Sequence, residues 1–99
     1  MLERRKRRRF PIQQPVVLRI QEDETRWAEV RGISADASET GVLLLADTEV
    51  RLETEVEVSI CLPKGIQLSA LGRVVRTSAD SDDKKFAIAV QCIESFAEI

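Results

Sequence analysis

The sequence predicts an all-β fold, a six-stranded antiparallel barrel or sandwich. Three observations lead there: short runs in which apolar and polar residues alternate with period two, turn residues between those runs, and no helical pattern of ten or more residues. Parallel sheets need crossover helices, so the absence of helices leaves antiparallel pairing. Closure into a barrel would also hide the edges of such short strands.

The first run, Pro15 to Ile20, sets Val16, Leu18 and Ile20 on one face and Val17 and Arg19 on the other, with Pro15 opening the strand. The second, Arg26 to Ile33, is interrupted by Gly32, which predicts a bulge there. Gly41 opens the third, Val42 to Ala46, whose four consecutive apolar residues predict burial on both faces. The fourth alternates most regularly, with Val56, Val58, Ile60 and Leu62 set against Glu55, Glu57, Ser59 and Cys61. Pro63-Lys64-Gly65 then turns the chain, because proline presets φ and glycine accepts a left-handed position. A fifth strand follows from Gln67 to Thr77, with Leu71, Val74 and Val75 apolar and Gly72 allowing a bend or a close approach. The polar stretch Ser78 to Lys85 reads as an exposed hairpin loop, and Phe86 to Ile93 as the sixth strand. The tail, Glu94 to Ile99, reads as at most one helical turn or a frayed end.

A chain of 99 residues suits one domain with a modest core. Its net charge of −2 averages two unlike pieces. Residues 1–9 carry six basic groups and one acid, net +5, whereas residues 10–99 carry nine basic groups and sixteen acids, net −7. The expected organisation is a flexible basic arm over residues 1–10 and a barrel over residues 11–99.

Composition removes several function classes. There is no histidine, so His-dependent triads and zinc hydrolases are excluded. Cys61 and Cys92 lie far apart without a C-x-x-C spacing, which argues against a zinc site and for two buried free thiols in a reducing cytosol, with one bridge between them as the alternative. No segment approaches the length of apolar chain a membrane span needs, and the basic start leads to Phe10-Pro11-Ile12 and not to a signal core. The expectation is a cytoplasmic protein with no membrane insertion, no metal and no cofactor. Ser38 has no visible base and the carboxylates are scattered along polar faces, so no catalytic constellation is present and the chain is not expected to be an enzyme.

Two features remain that could bind something. The first is Arg4-Arg5-Lys6-Arg7-Arg8-Arg9, six consecutive cations ahead of the first strand. Such a run can be a solvated arm; its five arginines also offer planar forks for phosphate or for a guanine O6/N7 edge. The second is Asp36-Ala37-Ser38-Glu39-Thr40-Gly41, a D-x-S-x-x-G hexapeptide between two candidate strands. Structurally it reads as a turn, with Asp36 or Ser38 bonding nearby backbone N–H groups and Gly41 supplying a positive φ. Chemically, its carboxylate could accept from the N1–H and N2–H₂ of a guanine.

An arginine arm entering a β-barrel, followed by a D-x-S-x-x-G turn, resembles the PilZ domain, the bacterial receptor module for cyclic di-GMP. That family carries R-x-x-x-R ahead of the first strand and [DN]-x-S-x-x-G after the second. The first is matched by Arg5-Lys6-Arg7-Arg8-Arg9, with Phe10-Pro11 and Pro15-Val16 resembling the continuation into the strand; Arg4 and Arg8 form a rival register. Leu62-Pro63-Lys64-Gly65, Gly72-Arg73-Val74-Val75-Arg76 and Phe86-Ala87-Ile88-Ala89-Val90 are similar to PilZ strand and turn segments, so nearly the whole chain is covered.

The resemblance implies a closed barrel, and it implies that Arg5 and Arg9 grip guanine edges and phosphates, Asp36 and Ser38 hold a guanine and Gly41 permits the tight turn. Arg4, just ahead of the motif, implies an intercalated pair of nucleotides per domain. The implied function is a cyclic di-GMP receptor whose arm is ordered by the ligand and then offers a changed surface to a downstream protein partner. The alternatives are a protein-interaction module of the same fold without ligand affinity, and nucleic-acid binding by the arm. The net −7 of the body opposes the latter, because a long polyanion would meet repulsion outside one patch.

Other residues have plain readings. Trp27 reads as a barrel or rim packing residue, with a base-stacking platform as the alternative. Arg73 and Arg76 lie on the fifth strand, where exposed charge is the default and a ligand border the alternative. Glu53, Glu55 and Glu57 read as a solvated acidic face.

Overall fold

The computed structural model describes residues 13–38, 40–80, 84–94 and 96–98. The alternating runs form strands β1 (Pro15–Gln21), β2 (Trp27–Ser38), β3 (Gly41–Ala46), β4 (Glu55–Cys61), β5 (Gln67–Asp80) and β6 (Lys85–Cys92), with a two-residue β7 (Ala97–Glu98) in the tail. Every pairing is antiparallel. The order is β4-β1-β2-β3-β6-β5, and a β4–β5 ladder closes it into a six-stranded barrel.

Alternation decides what fills the interior. Val16 and Leu18 of β1, Leu44 of β3, Val58 and Ile60 of β4, Val74 of β5 and Ile88 of β6 are all essentially inaccessible to solvent. Each such side chain removed from water contributes roughly 1.5–3 kcal/mol, so the inward phase of each strand is strongly fixed. The third run departs from its expectation: Val42, Leu44 and Ala46 are buried, but Leu43 is only partly covered and Leu45 is exposed. The described residues place no second layer over β3, so only one face of that strand is buried, however apolar it is.

Three other expectations change. Gly32 is regularly paired with Val16 and Ala46 and forms no bulge; a β-carbon there would stand 2.5 Å from the Leu45 carbonyl oxygen, so the glycine permits a close approach of two strands. The loop read over Ser78 to Lys85 is shorter, since ladder pairing continues to Asp80↔Lys85. The tail forms no helical turn among the described residues; Ala97 and Glu98 pair with Ser69 and Leu68 on β5, covering an edge that β6 does not reach. The turn at Pro63–Gly65 is a short 3₁₀ segment in which both Lys64 (φ 70°) and Gly65 (φ 77°) adopt left-handed backbone.

Candidate ligand-binding site

The hexapeptide folds as a hairpin. Asp36, Ala37 and Ser38 are the last residues of β2, Gly41 is the first of β3, and Ser38 pairs with Gly41 across the turn. The Ser38 hydroxyl lies 3.4 Å from both the backbone nitrogen and the hydroxyl of Thr40. The Thr40 carbonyl accepts from the Cys92 N–H at 2.8 Å, which ties the turn to β6. Gly41 does not supply the expected positive φ; Gly65 is the glycine with that conformation among the described residues. Its role is steric, because a β-carbon at Gly41 would sit 2.7 Å from the Val90 carbonyl oxygen.

What aims Asp36 is a bulge that the sequence analysis did not anticipate. Pairing with β3 runs Ser34↔Leu44 and then Asp36↔Leu43, leaving Ala35 as the extra residue. Without it, the alternation that buries Val30 and Ser34 would turn Asp36 into the core and Ala37 into solvent. With it, Ala37 is buried while Asp36 is exposed and Ser38 half-buried, so carboxylate and hydroxyl share the outer face two residues apart. The signal was present in the sequence: a strand phase that drives an aspartate inward is too costly to continue.

The bulge is locked by the segment that precedes β1. The Gln13 N–H donates to the Ser34 carbonyl at 2.7 Å, the Ser34 N–H to the Gln14 carbonyl at 2.9 Å, and the Gln14 N–H to the buried Ser34 hydroxyl at 2.9 Å. Gln13 has a left-handed φ of 64° at this junction. The chain therefore enters the barrel beside Asp36. Arg4, Arg5, Arg8 and Arg9, with the rest of the arm over residues 1–10, lie outside the described residues, as does Glu39.

A shallow hollow of about 210 Å³ lies against the hairpin, lined by Asp36, Ser38, Gly41, Leu43 and Ala89 among others. A larger one, about 370 Å³, lies toward the other end of β2 and is lined by Arg19, Trp27, Glu55, Glu57, Leu71 and Ile93 among others. Trp27 is half exposed at its mouth, with the Arg19 guanidinium 4.8 Å from the ring centroid. Arg19 also meets Glu57 at 3.1 Å, and Arg73 meets Glu55 at 3.5 Å, so two of the three expected acidic-face residues are ion-paired. Both cysteines are free and only half-buried, and burial pushes the Cys92 thiol up to about 11. Among the described residues no group of acidic or thiol side chains could hold a metal ion, and no helix is long and apolar enough to cross a membrane.

The family description of the PilZ domain matches residues 3–97, almost the full chain. The chain belongs to the PilZ domain family. The PilZ domain family is a cyclic di-GMP receptor family. No curated protein matches this PilZ domain in sequence. Among solved structures it is similar to the Bacillus subtilis inhibitor of motility, MotI/DgrA, with a TM-score of 0.69 and 20% identity over 95% of this chain. It spans only 44% of that protein's chain. It is also similar to the PilZ domain of Escherichia coli YcgR, a structure with cyclic di-GMP, at a TM-score of 0.45 and 15% identity over 98% of this chain and 79% of that one.

Proposed function

We propose that this chain is a cyclic di-GMP receptor whose ligand is gripped between the arginine arm and the β2–β3 hairpin. The observation that carries the reading is the bulge at Ala35, which turns Asp36 outward beside Ser38 and is itself hydrogen-bonded to Gln13 and Gln14. Four peptide units separate Arg9 from Gln13, at most about 14 Å of chain, so the Arg9 guanidinium can reach the face on which Asp36 stands. Arg5 lies four residues further along the arm.

Each group has a task set by the ligand's chemistry. The dinucleotide is a small dianion with two guanines: Arg5 and Arg9 supply charge and forks for phosphate and base edges, with Arg4 and Arg8 as the rival register. Asp36 accepts from the N1–H and N2–H₂ of a guanine, Ser38 adds a hydroxyl, and Gly41 keeps β3 close against β6 so that the hollow stays open. Arg4 is the residue that would accommodate an intercalated second nucleotide. Ordering of the arm by ligand changes the surface beside the hairpin, which is the output offered to a downstream protein partner. The module acts in the cytoplasm and performs no chemistry on its ligand.

Calorimetric titration with cyclic di-GMP tests this. Saturable binding by the intact protein, lost in Arg9→Ala, is the expected result. No saturable binding, or an affinity indifferent to that substitution, would leave a protein-interaction module of the same fold as the better reading. Affinity for generic RNA falling steeply with salt, with no preference for guanine, would favour nucleic-acid binding by the arm.

A further inference from the structure

The hairpin is one end of a longer feature. Asp36 pairs with Leu43, Leu43 with Ala89, and Ala89 with Arg76, so four residues on β2, β3, β6 and β5 stand in one cross-strand row. Residues in register across antiparallel strands point to the same face. This row faces outward: Asp36 and Arg76 are exposed, and Leu43 and Ala89 between them are half-buried.

The two charged ends are produced by the same device. The β5–β6 register runs Gly72↔Cys92 and Val74↔Val90 and then Arg76↔Ala89, leaving Val75 as an extra residue. Without that bulge the alternation that buries Gly72 and Val74 would drive Arg76 into the core; with it, Val75 and Arg76 both lie outside. Like the bulge at Ala35, it is held by two backbone bonds from a segment that leads into the next strand. The Glu53 N–H donates to the Val74 carbonyl at 2.8 Å, and the Val74 N–H donates to the Thr54 carbonyl at 2.9 Å. Arg76 also differs from the other strand arginines: Arg19, Arg31 and Arg73 each meet a carboxylate, at 3.1, 3.3 and 3.5 Å, whereas Arg76 has no ion pair among the described residues.

We propose that Asp36, Leu43, Ala89 and Arg76 form one binding strip for a single guanine, and that Arg76 is a specificity-determining contact. This rests on the cyclic di-GMP reading and deepens it. The row spans three ladder spacings, about 14 Å between its end backbones. The carboxylate stands at one end of the outward row and the long Arg76 side chain at the other, with the half-buried Leu43 and Ala89 between them, leaving a span that a purine can occupy. Asp36 accepts from the N1–H and N2–H₂ edge, and the Arg76 fork donates to O6 and N7 on the adjoining edge. An adenine offers the wrong group at both ends, an unprotonated N1 toward the carboxylate and an amino group toward the guanidinium. The strip therefore selects guanine without enclosing it.

The test is a set of calorimetric titrations of the full chain with cyclic di-GMP and cyclic di-AMP. Arg76→Ala should weaken cyclic di-GMP binding by about 5- to 150-fold, the range for one bidentate base contact, and should shrink the preference over cyclic di-AMP. Arg76→Lys, which keeps the charge and loses the fork, should recover little of that loss. Arg26→Ala, removing a cation from the β1–β2 turn, should change neither. Absence of saturable binding by the intact protein would sink the receptor reading and the strip with it. Tight binding that is unchanged in Arg76→Ala, or fully restored in Arg76→Lys, would leave the receptor standing and overturn the strip alone.

Discussion

The two ends of β2 carry hollows that differ in size, in lining and in the regularity of the backbone around them. At the Trp27 end the hollow is the larger, about 370 Å³ against 210 Å³, and the exposed Trp27, Leu71 and Ile93 are among its lining residues. Its charges already answer one another: Arg19 is shared between Glu57 and the Trp27 ring, and Arg73 is held by Glu55. At the hairpin end the hollow is shallow, yet two bulges have spent regular pairing to turn Asp36 and Arg76 outward on one row. Volume alone would choose the first. Irregular backbone that re-aims polar side chains points to the second, because such departures from a regular ladder persist when the surrounding structure holds them in place.

The comparison can be broken most severely from the arm. In the double variant Arg5→Ala/Arg9→Ala, cyclic di-GMP affinity should fall by at least about 30-fold, the sum of two modest bidentate contacts, with thermal stability unchanged. A stable double variant of undiminished affinity would detach the arm from the hairpin end. Gly41→Val is next. Its β-carbon would press on the Val90 carbonyl oxygen, so a loss of about 1–3 kcal/mol in urea denaturation should accompany weaker binding. A fully stable Gly41→Val protein would mean that β3 and β6 do not need that approach.

The larger hollow supplies the contrasting case. Trp27→Ala should cost about 1–2 kcal/mol, from the half-covered ring and its contact with Arg19, and the loss should appear in the melting temperature. The smallest change sharpens the account of the β5 bulge. Thr77, just past Arg76, has a buried hydroxyl without a partner among the described residues, so Thr77→Val should gain up to about 1 kcal/mol. A loss there would show that the hydroxyl is satisfied in solution.

Much of the barrel was legible because alternation is local. Val56, Val58 and Ile60 announce the inward face of β4 from their spacing, and Pro63 to Gly65 announce a turn from their own chemistry. Site geometry was less so, because it depends on register between strands distant in sequence. Gly32 looked like a bulge and proved to be a place of close strand approach, visible only once Leu45 lies opposite. The true bulges fall at Ala35 and Val75, residues with no turn chemistry of their own. Their trace is indirect: in both strands the established phase would bury a charged residue, Asp36 or Arg76, and the chain inserts one residue to avoid it. The apolar run of β3 misled for a related reason. Leu43 and Leu45 are not a second buried face; Leu43 instead stands half-buried beside Asp36 in the outward row.

The central claim is that the hairpin end, and not the larger hollow, receives the ligand. Parallel titrations of Asp36→Ala and Trp27→Ala with cyclic di-GMP test it most directly. Asp36→Ala should weaken binding by about 10- to 150-fold, as loss of a charged hydrogen-bond acceptor predicts, while Trp27→Ala keeps the affinity of the intact protein. Unchanged affinity in Asp36→Ala together with a loss in Trp27→Ala would contradict the account and move the site to the other end of β2.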